Sequence, residues 1–298
     1  MKLLAPALIY FHEVARTGSI TLAAETQHVS ASAISRQISN LERSAGVPLF
    51  ERHPRGMTLT EAGLLLLAHA RRTEAEGEAL VEELRNQGKH KTRTIKVVSS
   101  EGLAHCRVPE AMARISMQHS DIAFHLDVVP STEGTRRVIE GEADIAVVYA
   151  LGPQRDVTVE FTTPTPAFAV VARDHPLAAR DSLSMAELCA YKLALPEKGI
   201  SQRELFDIAA EMEHVAPTIA LVTNQVGPIL EFARAGAGIA LMSNLVVHAQ
   251  ETAGVVFIPL QHPVFHQRQG QIQTMTGRSR SAIFTAFIDA LIDSLSAP

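Results

Sequence analysis

Ile34, Ile38 and Leu41 recur at i, i+4 and i+7, which puts them on one stripe of a helix running from about Ala31 to Ser44. The opposite face carries Ser32, Ser35, Arg36, Ser39, Asn40 and Arg43, short polar or cationic side chains with no carboxylate among them. Glu42 lies off that face, turned to protein or solvent. Ser30 is a good N-cap for this helix. Upstream, Ile20 to Gln27 reads as a second helix, in which Ala23 and Ala24 allow a neighbour to approach closely, and His28-Val29-Ser30 is a short turn. The pattern suits a helix-turn-helix whose second helix lies in a DNA major groove. On periodicity alone, the same helix is equally an ordinary surface helix of a three-helix core.

The next residues favour the first reading. Gly46-Val47-Pro48-Leu49-Phe50-Glu51-Arg52 ends the helix and starts a strand, His53-Pro54-Arg55-Gly56 turns, and Met57-Thr58-Leu59-Thr60 returns. A small hairpin with a basic tip beside the helix can reach phosphates or the minor groove. The candidate DNA-binding residues are therefore Ser30, Ser32, Ser35, Arg36, Ser39, Asn40, Arg52 and Arg55.

An ordered set of residues carries a family resemblance. It comprises Phe11, Val14-Ala15, Gly18-Ser19-Ile20, Ala23-Ala24, Val29-Ser30, Ile34-Ser35-Arg36-Gln37-Ile38, Leu41-Glu42, Gly46 through Arg52, and Leu59-Thr60-Glu61-Ala62-Gly63. The chain resembles the LysR-type transcriptional regulators, closely over the first sixty or so residues and more loosely beyond. The resemblance implies an α/β multidomain protein: a winged helix-turn-helix, a long dimerising linker helix and a two-lobed effector domain like that of periplasmic solute-binding proteins. It also implies a homotetramer built as a dimer of dimers. The family usually has Gln-Pro after the Ser that opens the recognition helix, whereas this chain has Ala31-Ser32. Operator readout is then expected from Ser32, Ser35, Arg36 and their neighbours.

At 298 residues the chain can hold more than one core. Its 46% hydrophobic and 20% charged residues place it with ordinary globular proteins rather than membrane or disordered chains. The apolar run Ala7 to Phe11 is cut off by His12-Glu13, so it fits a first helix with Pro6 near its start and not a signal peptide; a cytoplasmic protein with no membrane partner is expected. The net charge of −5 is unevenly spread: residues 1–93 hold 12 Lys and Arg against 10 Asp and Glu, and residues 94–298 hold 15 against 22. A mildly basic head on an acidic body fits a DNA reader that releases readily, not a non-specific DNA coat. Cys106 and Cys189 lack metal-site spacing and read as two reduced core thiols, with a redox-sensing pair, as in the peroxide-sensing branch of the family it resembles, as the alternative. His262 and His266 are four apart, but Pro263 between them argues against a helical metal pair, and His105 and Cys106 read as core. No metal and no cofactor beyond a small-molecule effector is expected.

After the wing, Glu61 to Gln87 reads as one long helix, capped by Thr60 and ended by Gly88, with a thin seam that includes Leu64, Leu67, Ala75, Leu80 and Leu84. Such a helix gains stability by packing, against the same helix of a second subunit or against its own body. The expected organisation is a DNA-binding domain at 1–60, a linker helix at 61–88, a hinge at 89–94 and an effector domain at 95–298. Within the effector domain, the family resemblance implies that lobe I covers about 95–163 and 268–298 and lobe II about 164–267, with crossings near Thr163–Pro166 and Val264–Arg268. Strands and helices alternate through this part, as in an α/β sandwich. A helix from Glu101 to Gln118 is expected to kink at Pro109. A strand over Ile122 to Val129 alternates Phe124, Leu126 and Val128 with His125 and Asp127, and the apolar run Asp144 to Tyr149 suits a buried strand. Ser184 with Glu187 and Ser201 with Glu204 have capping-box spacing.

Ligands of open α/β sheets sit beyond the carboxyl ends of strands, at helix N-termini. That rule selects Ser99, Ser100, Ser131, Thr132, Tyr149, Thr223 and Asn224 as effector-binding candidates for a small polar or anionic metabolite, although the Ser, Thr and Asn side chains serve equally as plain N-caps. The resemblance implies inducer contact at the same places. Family members that bind aromatic or dicarboxylate inducers often have Arg where Tyr149 stands, so Tyr149 offers stacking or a hydrogen bond instead.

The reading is an effector-responsive, sequence-specific regulator that contacts double-stranded DNA, a small molecule, copies of itself and, for transcription, RNA polymerase. The alternative is a small-molecule sensing or solute-binding module without direct DNA readout, against which the basic wing tip argues. An enzyme is not expected: the chain has no Gly-x-Ser-x-Gly, phosphate loop with Lys, His-Glu-x-x-His or dinucleotide fingerprint.

Overall fold

The computed structural model describes residues 5–54, 56–85, 92–243, 245, 253–277 and 280–296. Arg55, Gly88 and the first part of the expected hinge, 89–91, lie outside these. The chain divides into two compact units, the first built from Met1–Lys91 with the short segments Ile139–Glu142 and Gly277–Ser279, and the second from Thr92–Val138, Ala143–Thr276 and Arg280–Pro298.

The first unit opens with α1 (Pro6–Thr17), α2 (Ile20–Gln27) and α3 (Ala31–Ala45). Local chemistry sets their ends. Ser19 accepts from Leu22 N at the start of α2, His28 ends it in the left-handed conformation, and Ser30 accepts from Ala33 N to start α3. The expected stripe is buried: Ile34 and Ile38 are fully enclosed and Leu41 half-buried, with Phe11, Val14, Ala23 and Ala24 around them. Burying side chains of this size contributes about 1.5–3 kcal/mol each. Strands β1 (Phe50–His53) and β2 (Gly56–Leu59) pair antiparallel as the wing. Phe50 packs its ring 5.2 Å from that of Phe11.

Two close approaches seat the wing. Met57 N donates to Gly18 O at 2.8 Å, and a Cβ on Gly56 (φ +139°) would stand 2.7 Å from that same oxygen. A Cβ on Gly63 would lie 2.1 Å from Leu49 O, so only glycine lets α4 (Glu61–Arg85) start against the hairpin. Thr60 caps this helix as expected, accepting from Gly63 N while its hydroxyl donates to Pro48 O. The apolar residues of α4 divide. Leu67, Ala70 and Ala75 are buried, whereas Leu64, Leu65 and Leu80 are exposed.

In the second unit, the described residues form two five-stranded sheets. The first has the order β4-β3-β5-β12-β6, from β3 (Arg93–Ser99), β4 (Ile122–Val128), β5 (Ile145–Ala150), β6 (Val157–Pro164) and β12 (Gln269–Met275). Strands β3, β4 and β5 run parallel, and β12 is antiparallel to both β5 and β6. The second has the order β11-β7-β10-β8-β9, from β7 (Ala167–Ala172), β8 (Lys192–Pro196), β9 (Thr218–Thr223), β10 (Ile239–Ser243) and β11 (Val255–Pro259). Strands β8, β9 and β10 are parallel, with β7 antiparallel to β10 and β11. The chain passes from one sheet to the other at Thr165-Pro166 and returns through a 3-10 turn at Pro263–His266. Helices α5 (Glu101–Ala104), α6 (Arg107–Gln118), α7 (Ser131–Ile139) and α11 (Ala282–Ser296) accompany the first sheet in sequence, and α8 (Met185–Cys189), α9 (Ser201–Met212) and α10 (Val226–Arg234) the second. No helix among the described residues is long and apolar enough to cross a membrane.

Several expectations need correction. The helix after β3 breaks at His105-Cys106, not at Pro109, which sits in the first turn of α6 where a missing N–H costs nothing. His105 at the break is exposed, so only Cys106 is core. Val128, the last residue of the edge strand β4, is 53% exposed. The Ser184/Glu187 capping box forms, but Ser201 is already the first residue of α9 and no side chain caps that helix. A short 3-10 turn starts at Pro263, with His262 accepting from Val264 N as its cap; proline suits the first position of such a turn. Strand β6 was not expected at all.

Candidate functional site

The first candidate surface is the outer face of α3 with the wing. Ser32, Arg36, Asn40 and Arg43 are exposed, and Ser35 and Ser39 are half-buried on the flanks. Ser30 hydrogen-bonds Ala33 N and shares a 3.1 Å contact with the Ser32 hydroxyl, so its first duty is the cap. Arg43 Nη1 donates to Asn40 Oδ1 at 3.2 Å, which holds both side chains along the face. Arg36 has no hydrogen-bond or ion-pair partner among the described residues. Arg52 is exposed on β1, and Arg55 lies outside the described residues. Glu42 is withdrawn from this surface: its Oε1 accepts from Leu49 N at 2.9 Å and Phe50 N at 3.3 Å. The carboxylate that would repel a phosphate is used instead to tie the recognition helix to the root of the wing.

The second candidate site gathers at the carboxyl ends of β3 and β5. Ser100 and Ser131 come together, their hydroxyls 2.9 Å apart, and Tyr149 N lies 3.4 Å from Ser100 Oγ. Ser99 does not join them. It is fully buried, and its hydroxyl donates to Val147 O and Ser100 O, so it is spent inside the sheet. Thr132 is exposed on α7, next to Ser131. From the other sheet, Thr223 Oγ1 accepts from Gln225 N and Asn224 is exposed. Helix α10 begins at Val226, two residues after Asn224.

Three residues that the sequence did not single out complete the region. Glu101, in the first turn of α5, accepts from Val226 N at 3.1 Å, joining the first sheet's helix to the N-terminus of α10. Burial raises its carboxyl pKa above the ordinary value, with the Val226 hydrogen bond opposing that shift. Arg268 is 2% exposed and sits over the Tyr149 ring, 4.0 Å from the centroid. Thr165 is fully buried beside it and exchanges backbone contact, its N–H donating to Arg268 O at 2.9 Å. Burial pushes the Tyr149 phenol up to about 12, with the Arg268 charge pulling it down. Glu101 read as an ordinary first-turn acid, and Arg268 is remote from Tyr149 in sequence. No local pattern could have joined them.

The two cysteines are free thiols: Cys106 is core, its Sγ donating to Leu245 O at 3.4 Å, whereas Cys189 is half-buried rather than core, and burial raises its thiol pKa. His262 and His266 flank the 3-10 turn, and no cluster of three or more His, Cys, Asp or Glu suited to a metal forms among the described residues.

A winged helix-turn-helix joined by a long helix to paired α/β sheets with polar residues at their strand ends defines a DNA-binding regulator with a small-molecule domain. Comparison with known proteins agrees. Residues 88–296 match the LysR substrate binding domain, and residues 6–64 match the bacterial regulatory helix-turn-helix protein of the lysR family. The chain belongs to the LysR family of transcriptional regulators. It is 26% identical over 283 residues to the uncharacterized HTH-type transcriptional regulator YfeR of Shigella flexneri, covering 95% of this chain and 91% of that one. It is 24% identical over 287 residues to the HTH-type transcriptional regulator CysB of Burkholderia cenocepacia, covering 93% and 88%. In fold it is similar to full-length CbnR in complex with its target DNA, at a TM-score of 0.54 and 20% identity over 97% of this chain and 98% of that one. HinK of Pseudomonas aeruginosa, a LysR family regulator, gives a TM-score of 0.56 at 20% identity over 97% of each.

Proposed function

We propose that this regulator reads an operator through α3 and the wing, and that a small polar or anionic metabolite bound between the two sheets alters how it engages DNA. The observation that carries the DNA half is the outer face of α3. It offers Arg36 without a hydrogen-bond or ion-pair partner among the described residues, flanked by serines, and the Glu42 carboxylate is turned away to the wing root. Base-edge contacts come from Arg36, Ser32 and Ser35, and phosphate contacts from Arg52 and Arg55.

The working form is a dimer or a tetramer built from dimers, joined through α4. Leu64, Leu65 and Leu80 are exposed on that helix, and a second copy of the helix would cover them. Two reading heads then address half-sites about one DNA turn apart or a multiple of it. Effector that binds one arrangement of the lobes better shifts the population towards it and so changes contact with DNA or RNA polymerase. The protein acts in the cytoplasm, where its DNA is.

The test is a footprint of the full chain on DNA upstream of its own coding sequence, repeated as salt is raised. A protected, roughly palindromic site spanning several turns, lost steeply with salt, is the expected result. Absence of protection there, together with no enriched site in a genome-wide selection, would overturn the reading.

A further inference from the structure

Three buried polar atoms near the crossing between the sheets have no partner among the described residues: Tyr149 Oη, Thr165 Oγ1 and Arg268 Nη2. Their residues are neighbours by construction. Strand β12 lies between β5 and β6, with Gly270 opposite both Tyr149 and Thr163, so Arg268 just before it is flanked by the end of β5 and by Thr165 after β6. All three are more than nine-tenths buried.

The Arg268 guanidinium carbon lies over the Tyr149 ring, 4.0 Å from its centroid. That contact attracts the charge but is no hydrogen bond, and the buried Nη2 is left without a partner among the described residues. Nε reaches Thr165 O only at 3.5 Å. No carboxylate among the described residues pairs with Arg268. Glu101, near enough to influence Tyr149, accepts from Val226 N with its Oε1, and Arg107 adds a second positive charge that Tyr149 feels. A buried cation with open donors is costly unless an anion completes it, and a guanidinium edge matches a planar oxyanion through paired hydrogen bonds.

We infer that Arg268, Tyr149 and Thr165 form a subsite for an oxyanion, the carboxylate of a small organic acid, at the crossing between the two sheets. This rests on the proposed effector site and specifies its chemistry. The cation absent from position 149 in the sequence is supplied there by Arg268.

The test uses the full chain and thermal unfolding, with sodium acetate, sodium sulfate or sodium chloride as probe at matched ionic strength. Acetate is expected to raise the unfolding midpoint above chloride in the wild type. Tyr149→Phe and Thr165→Val, which remove one hydroxyl each, are expected to weaken that response about tenfold or more, as loss of a hydrogen bond to a charged group does. Arg268→Gln is expected to abolish it; should that variant not fold, the two hydroxyl variants still decide. A response to sulfate in place of acetate, lost in the same variants, would keep the oxyanion subsite and assign it to an inorganic ion. Equal shifts in wild type and variants, or no difference from chloride, would overturn the subsite. The readout separates this from the effector proposal. Anion binding that leaves the footprint unchanged would overturn the effector role alone, and a footprint that answers uncharged metabolites without any anion response would overturn the subsite alone.

Discussion

Glu42 Oε1 accepts the Leu49 amide at 2.9 Å and the Phe50 amide at 3.3 Å, so one carboxylate on the recognition helix fixes the first residues of the wing. Leu49 and Phe50 are both buried, and their N–H groups would otherwise go unanswered. Glu42→Ala is expected to cost about 1–3 kcal/mol of stability in the DNA-binding unit. Glu42→Gln keeps an acceptor oxygen and is expected to lose much less. Urea unfolding of the three chains measures this, and an Ala variant as stable as wild type would show that the contact contributes nothing.

Arg36 and Arg52 are expected to differ in kind. Arg36 lies mid-helix on the outer face of α3, the face proposed to enter the groove, and Arg52 lies on the wing. Arg36→Ala is expected to cost about 1–3 kcal/mol of operator binding and to relax discrimination at one position. Arg52→Ala is expected to weaken binding evenly across sequences and to lower the salt slope by about 1. Fluorescence anisotropy on operator and scrambled duplexes across a salt series tells them apart. If both variants behave alike, the division into base and phosphate contacts is wrong.

Glu101 gives a pH dependence of definite sign. Burial raises its folded-state pKa above the ordinary carboxylate value of 4.5. The corresponding stability is fully present below the ordinary value and is lost as pH rises through the raised one. Glu101→Gln is neutral at every pH and retains an acceptor for Val226 N. The midpoint of this variant minus that of wild type is therefore expected to increase from about pH 4 to pH 7. A difference that is flat or falls over that range would contradict the burial of this carboxylate.

Much of the first unit was legible because its signals are local. Ser19, Ser30 and Thr60 cap helices from positions fixed by their neighbours in sequence, and the Ile34, Ile38 and Leu41 stripe needs only helical periodicity. Local signals failed where tertiary context competes. Strand β6, at the sheet edge and paired to β12, has no fully buried residue and mixes half-buried with exposed ones, so its apolar pattern is weak. Ser201 and Glu204 have the spacing of a capping box, yet the helix begins one residue too early for Ser201 to act as the cap. Ser99 had the composition of a ligand contact, but its hydroxyl is turned into the sheet.

By itself, the sequence determined the kind of protein: a winged reading head, a long helix and alternating strands and helices, all set by periodicity, caps and turn residues within a few positions of one another. Only the tertiary structure decided the use of individual charges. Glu42 answers the wing, Glu101 reaches across to α10, and Arg268 comes to lie over Tyr149 through the antiparallel pairing of β12 with β5. The physical reason is range. A helix stripe or cap depends on covalent spacing, whereas the partner of a buried charge depends on which distant strands the sheet brings side by side.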